Sequence, residues 1–215
     1  MEQTNLFLLM EYDACVFHEL NDFHIAKTIL AQLGPVVNVL GGVVLAHGLQ
    51  EHIGANLLHK HFSLKDGEYI LRRFEGRVAK MRPDRIDSQT GNVRPYLWQL
   101  AHGVRGKHFY PLEFVEYESH VLPEATKQFD MIANNDAFLR DFATCLWDSG
   151  LEDVFGIAAL CSRYRTELRS GETMLETTDA VNRVLTLEPV EDALLDDRGM
   201  TETLWTFGLP SHGKE

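Results

Sequence analysis

The sequence predicts an α+β fold: a tandem duplication of a helix plus an antiparallel β-meander, pseudo-twofold, with helices on one face of the sheet. Three observations lead there. The segment Gly48-Leu-Gln-Glu-His-Ile-Gly-Ala-Asn-Leu-Leu-His-Lys-His-Phe62 lies over Gly150-Leu-Glu-Asp-Val-Phe-Gly-Ile-Ala-Ala-Leu-Cys-Ser-Arg-Tyr164, with paired glycines and leucines coinciding. Beyond it the matches continue in the same order: Gly67-Glu68 with Gly171-Glu172, Leu71 with Leu175, Arg77-Val78 and Pro83 with Arg183-Val184 and Pro189, and Leu97-Trp98 with Leu204-Trp205. Each copy also changes from helical to extended patterning at the same point. The units divide as residues 1–105 and 106–215 within one compact domain. Two copies are too few for a solenoid and suit units that share a sheet or pack face to face.

Each element has a local reason. Pro35 stands where a first helical residue would, and Val36, Val37, Val39, Leu40, Val43 and Val44 follow at helical spacing. Gly41 and Gly42 weaken this helix by about 1 kcal/mol each relative to Ala. In the second copy Asp136 is the expected N-cap, ahead of an apolar stripe of Phe138, Leu139, Phe142, Cys145 and Leu146. Gly48 and Gly150 follow the two helices, where a left-handed cap favours a residue without Cβ. Extended runs come next, with Asp66-Gly67 and Ser170-Gly171 as expected hairpin turns before the strands Tyr69–Phe74 and Thr173–Thr177. Residues 84–95 and 101–108 read as exposed loops.

Composition narrows the function classes. Acidic residues number 32 against 20 basic, for a formal charge of -12. That charge repels polyphosphate and anionic lipid, so neither nucleic acid nor a membrane is an expected partner. Cys15, Cys145 and Cys161 form no CxxC pair, which disfavours a disulfide scaffold and fits a reducing compartment. The first residues lack the basic flank of a signal peptide, and no apolar run is long enough to span a bilayer, so a cytoplasmic location is expected. No P-loop, GxGxxG, GxSxG or HExxH pattern occurs.

Chemistry concentrates in one place. Of ten histidines, His47, His52, His59 and His61 fall within a short stretch. If residues 55–63 are extended, His59 and His61 share a face and Lys60 lies on the other. Imidazoles about 7 Å apart along a strand can bind one divalent metal ion together. A third ligand is sought in His47, Glu68 or Glu113. Glu113 stands inside the apolar run Tyr110–Val115, so it is either edge-exposed or buried beside a partner, where it can act as an acid or base. Under the repeat, His59 falls on Cys161, Lys60 on Ser162 and His61 on Arg163. The scaffold repeats while these polar side chains do not, which suits one asymmetric ligand held at the seam between copies. Arg163, Cys161 and Lys60 are the expected substrate contacts, Arg163 through a bidentate grip on a carboxylate. Arg72-Arg73, Arg82 and Arg85 read as a solvated basic edge.

The expected function is a small-molecule enzyme in which His59, His61 and Glu113 carry metal-assisted or general acid–base lyase, isomerase or hydrolase chemistry. His59, His61 and His47 are its candidate metal ligands. The alternative is a non-catalytic module that binds a ligand or a protein and uses the histidines structurally.

Overall fold

The structure, a computed structural model, describes residues 11–33, 36–88, 91–103, 106–160, 168–195 and 199–208. Five helices lie among them: α1 (Ala14–His18), α2 (Phe23–Leu30), α3 (Val36–Ala46), α4 (Leu122–Ala133) and α5 (Asp136–Ser149). The strands are β1 (Ile53–Leu57), β2 (Glu68–Glu75), β3 (Val78–Arg85), β4 (Val93–Gly103), β5 (Gly106–Glu116), β6 (Phe155–Ala159), β7 (Glu172–Asp179), β8 (Val184–Glu191) and β9 (Leu204–Thr206). No described helix is long and apolar enough to cross a membrane.

The helices form for the reasons their residues supply. In α5 the stripe Phe138, Leu139, Phe142, Ala143 and Leu146 is buried, and the helix stops at Gly150 with φ 63. Its N-cap is Asn135, one residue before the expected Asp136, because the Asn135 side chain accepts the Phe138 amide at 3.0 Å. In α3 Gly41 is required by close approach: a Cβ there would stand 2.5 Å from the Phe207 ring. Gly42 faces open space.

All the described strands join one sheet in the order β7-β8-β3-β2-β5-β4-β6-β1-β9. Every neighbouring pair is antiparallel except β2 with β5. This corrects the expected meander. Strand β1 does not pair with β2; it lies between β6 and β9, while β6 lies between β4 and β1. Strands of the two halves therefore interleave. Gly67 and Gly171 lead into β2 and β7, and the hairpin reversals fall at Gly76 (φ 65) and before Arg183 (φ 52). The segment 101–108, expected as a loop, instead carries the ends of β4 and β5, paired from Ala101–His108 to Gly103–Gly106.

Alternation along the strands makes two large cores, beside a small third cluster of Tyr69, Leu71, Val93 and Phe114. Ile53, Ala55, Leu57, Trp98, Phe155 and Ile157 face α3 and α5. Their neighbours Leu58, Leu97 and Ala158 face the other way, against Ile70, Met81, Tyr96, Tyr110, Leu112 and Leu185. Sheet covered on both faces needs consecutive apolar residues, which these strands have. Helix α1 departs from the expected one-sided arrangement, since Val16 and Phe17 join the second core.

The sheet is curled. In the strand order β7 and β9 are opposite edges. In space the Thr203 hydroxyl, just before β9, reaches the Glu176 carboxylate of β7 at 3.3 Å. The seam where these edges meet holds the polar cluster described next.

Candidate functional site

Strand β1 ends at Leu57, short of the expected extent to residue 63. The chain after it is nevertheless held on several sides. The Leu57 amide donates to the Thr203 carbonyl, Leu58 to Val154 and Lys60 to Asn21, each at 2.8 Å. These bonds fix the backbone on which His59 and His61 are mounted. Both imidazoles turn to the same side, with ring centroids 4.4 Å apart. Phe23 covers His59 at 4.9 Å between centroids.

Hydrogen bonding sets the tautomer of His59. Its Nδ1 lies 2.9 Å from the Leu57 carbonyl oxygen. A carbonyl only accepts, so Nδ1 carries a proton in either charge state; Nε2 donates when the ring is charged and presents a lone pair when it is neutral. That Nε2 is 3.4 Å from Oε1 of Glu176. His61 presents Nδ1 to the same Oε1 at 3.5 Å and Nε2 to Oε1 of Glu113 at 3.5 Å. The His61 Nδ1 is buried and makes no hydrogen bond. Burial draws the His61 pKa down, but the Glu113 hydrogen bond and the charges of Glu176 and Glu113 outweigh it and leave the pKa raised. Glu176 is held below the ordinary carboxylate value: burial opposes this, and the hydrogen bond from His59 and the charges of both histidines and Arg72 prevail.

The geometry suits a metal ion. The ligand atoms of His59, His61 and Glu176 all lie within 4.8 Å of one another. Ligands about 2.0–2.2 Å from a tetrahedral ion are separated by about 3.3 Å, close to the two spacings from the Glu176 oxygen. The surroundings also match what metal-binding imidazoles require. One backs onto a backbone carbonyl and the other onto a carboxylate, and each contact directs the remaining nitrogen inward. Both imidazole side chains are nearly covered, at 3% and 6% exposure, whereas Glu176 is 24% exposed, so the cluster opens on its Glu176 side.

Behind Glu113 stands Arg72, on the inward face of β2. Its guanidinium carbon lies 3.9 Å from the centre of the Tyr96 ring, and its Nη2 reaches the Met81 sulfur at 3.4 Å. The nearest Glu113 oxygen is 3.9 Å away, beyond hydrogen-bond range. The basic edge expected from sequence therefore divides. Arg73 is exposed and pairs with Glu116 and Asp84, while Arg72 is inside.

The structure brings His59, His61 and Glu113 together and adds Glu176 and Arg72. His47 lies elsewhere, bonded to Asp141 of α5 at 2.9 Å. Lys60 turns away toward the His18 carbonyl and Asp22. Glu68 is bound to Arg183. Cys161 and Arg163 lie outside the described residues. No family model, no curated protein and no solved structure matches this chain.

Proposed function

We propose that this protein is a metal-dependent enzyme acting on a small molecule, with His59, His61 and Glu176 as ligands of one divalent transition-metal ion. The observation that carries this reading is the spacing of the three ligand atoms, joined to the second contacts of both imidazoles. Two nitrogens and one oxygen are the donor set of catalytic zinc and non-haem iron centres, which keep a coordination position for water or substrate. Among the described residues no fourth His, Cys, Asp or Glu joins the group. Bound there, such an ion would polarise a substrate carbonyl or activate water. The chain's own Glu113 would hold the His61 ring and its proton in place.

Metal analysis of protein purified without an affinity tag tests this. The expected result is one equivalent of zinc or iron, lost in His59→Ala, His61→Ala and Glu176→Gln. Wild-type protein that retains no zinc, iron(II) or cobalt(II) after dialysis overturns it.

A second reading has its own support: the cluster joins β7 to the segments flanking β1 and β9, so it can serve as a clasp. A clasp predicts that the same variants melt at lower temperature with no loss in any substrate assay.

We also infer that the halves are copies related by a pseudo-twofold axis. Contacts between them recur in exchanged form. Trp98 pairs with Ile157, and Trp205 with Ala55. The Leu58 amide donates to Val154, and the Leu160 amide to His52. Arg77 binds Glu172, and Arg183 binds Glu68. Glu176 and Arg72 are then counterparts, so the repeat places opposite charges at equivalent positions. Superposing residues 53–88 on 155–194 in an experimental structure checks this, and unrelated paths overturn it.

A further inference from the structure

We propose that the cluster of His59, His61, Glu176 and Arg72 takes a small carboxylic acid, and that Arg72 is the residue that grips its carboxylate. The inference rests on the metal-site reading for the location of the reacting end, though not for the grip itself.

Arg72 is short of acceptors: the Tyr96 side chain is its one hydrogen-bond partner of ordinary strength. Its Nε is buried without a hydrogen-bond partner. Its Nη2 has a thioether at 3.4 Å, which is a weak acceptor. Glu113 is too distant to accept and already faces His61 with its other oxygen. The Tyr96 side chain lies against the guanidinium and hydrogen-bonds with it, which still leaves Nε unmet. A guanidinium cannot escape by losing its proton, and a buried donor left unmade is unfavourable by about 1–3 kcal/mol. A ligand supplying two coplanar oxygens removes that penalty.

Charge points the same way. Glu113 and Glu176 bring two negative charges and Arg72 one positive. A divalent ion with neutral imidazoles leaves one positive charge unbalanced in a covered site. A monoanion neutralises it, whereas a phosphate dianion overshoots. The planar fork of Arg also matches a carboxylate better than it matches a point charge.

The test is calorimetric titration of the full-length protein, with and without bound cobalt(II), using acetate, glycolate, succinate and inorganic phosphate. Arg72→Met and Arg72→Lys accompany the wild type. Saturable binding of at least one carboxylate is expected, weakened tenfold or more in both variants while cobalt affinity changes less than threefold. Arg72→Lys keeps the charge and loses the fork, so it carries the test if Arg72→Met fails to fold. Cobalt binding without Arg72-dependent carboxylate binding overturns this proposal alone. Arg72-dependent carboxylate binding without cobalt binding supports the proposal and overturns the metal reading. Phosphate binding in place of every carboxylate overturns the assignment of ligand class.

Discussion

At the scale of single residues the site divides into what local spacing reveals and what only the folded chain supplies. His59 and His61 are legible because two imidazoles separated by one residue turn the same way in an extended segment. Glu113 is legible because a carboxylate in an apolar run must have a partner when buried. Glu176 carries no such signal, since it approaches the histidines only when opposite edges of the sheet meet. Arg72 is masked by Arg73, and the alternation of β2 separates one inside from one outside. If Glu113 orients the His61 ring, Glu113→Gln weakens zinc binding about 10–100-fold, measured by competition with a chromogenic chelator. Three glycines differ in what a side chain would meet. A Cβ on Gly156 would press into the Trp98 carbonyl, as one on Gly54 would meet the Trp205 carbonyl at 2.7 Å. Backbone cannot give way as a side chain can, so Gly156→Ala should destabilise by about 1–3 kcal/mol in urea unfolding. Gly42→Ala meets nothing and should stabilise by about 0.5–1 kcal/mol in the same measurement.

At the scale of elements, helices and strand cores follow the apolar patterns, and the exceptions have physical causes. Residues 101–103 and 106–108 are extended because the antiparallel ladder of β4 and β5 continues into them. The turn residues at 67 and 171 were legible as turns; their partners were not, because a turn signal does not specify which strands pair. The β2–β3 and β7–β8 hairpins are tied together by Arg77–Glu172 and Arg183–Glu68. The Arg77 side chain and the Arg169 amide hold Glu172 down at about 2, and Arg183 lowers Glu68. A carboxylate whose folded pKa lies below its unfolded value stabilises the fold above that unfolded value, about 4.3, and loses this as acid protonates it. The melting temperature of the wild type should therefore exceed that of Arg77→Met at pH 7. The gap should close as pH falls from about 4.5 toward 2, followed by circular dichroism. A gap unchanged at pH 2 would show that the pair contributes nothing through its charge.

At the scale of the molecule, matched segments led to the expectation of two units side by side, but linear order could not reveal that each half would insert its first strand into the other. The cluster of His59, His61 and Glu176 draws its members from both halves and from opposite sheet edges. An ion bound there acts only on the folded chain, because the unfolded chain does not hold these groups together. At a zinc concentration 100-fold above its dissociation constant, the stabilisation is about 2.7 kcal/mol, or a rise of about 5–10 °C in melting temperature for a chain of this size. Glu176→Gln should abolish most of that rise in differential scanning fluorimetry.

Interleaving bears on how the chain is made. Strand β1 receives one neighbour only when Phe155–Ala159 has emerged and the other only with Leu204–Thr206. On a ribosome, β1 must wait with an open hydrogen-bonding edge until Leu204–Thr206 has been made. Such distant pairings slow folding and leave the nascent segment prone to association. Chaperone demand should thus concentrate on elongating chains, and a premature stop before Leu204 would release a product unable to seal its own first strand.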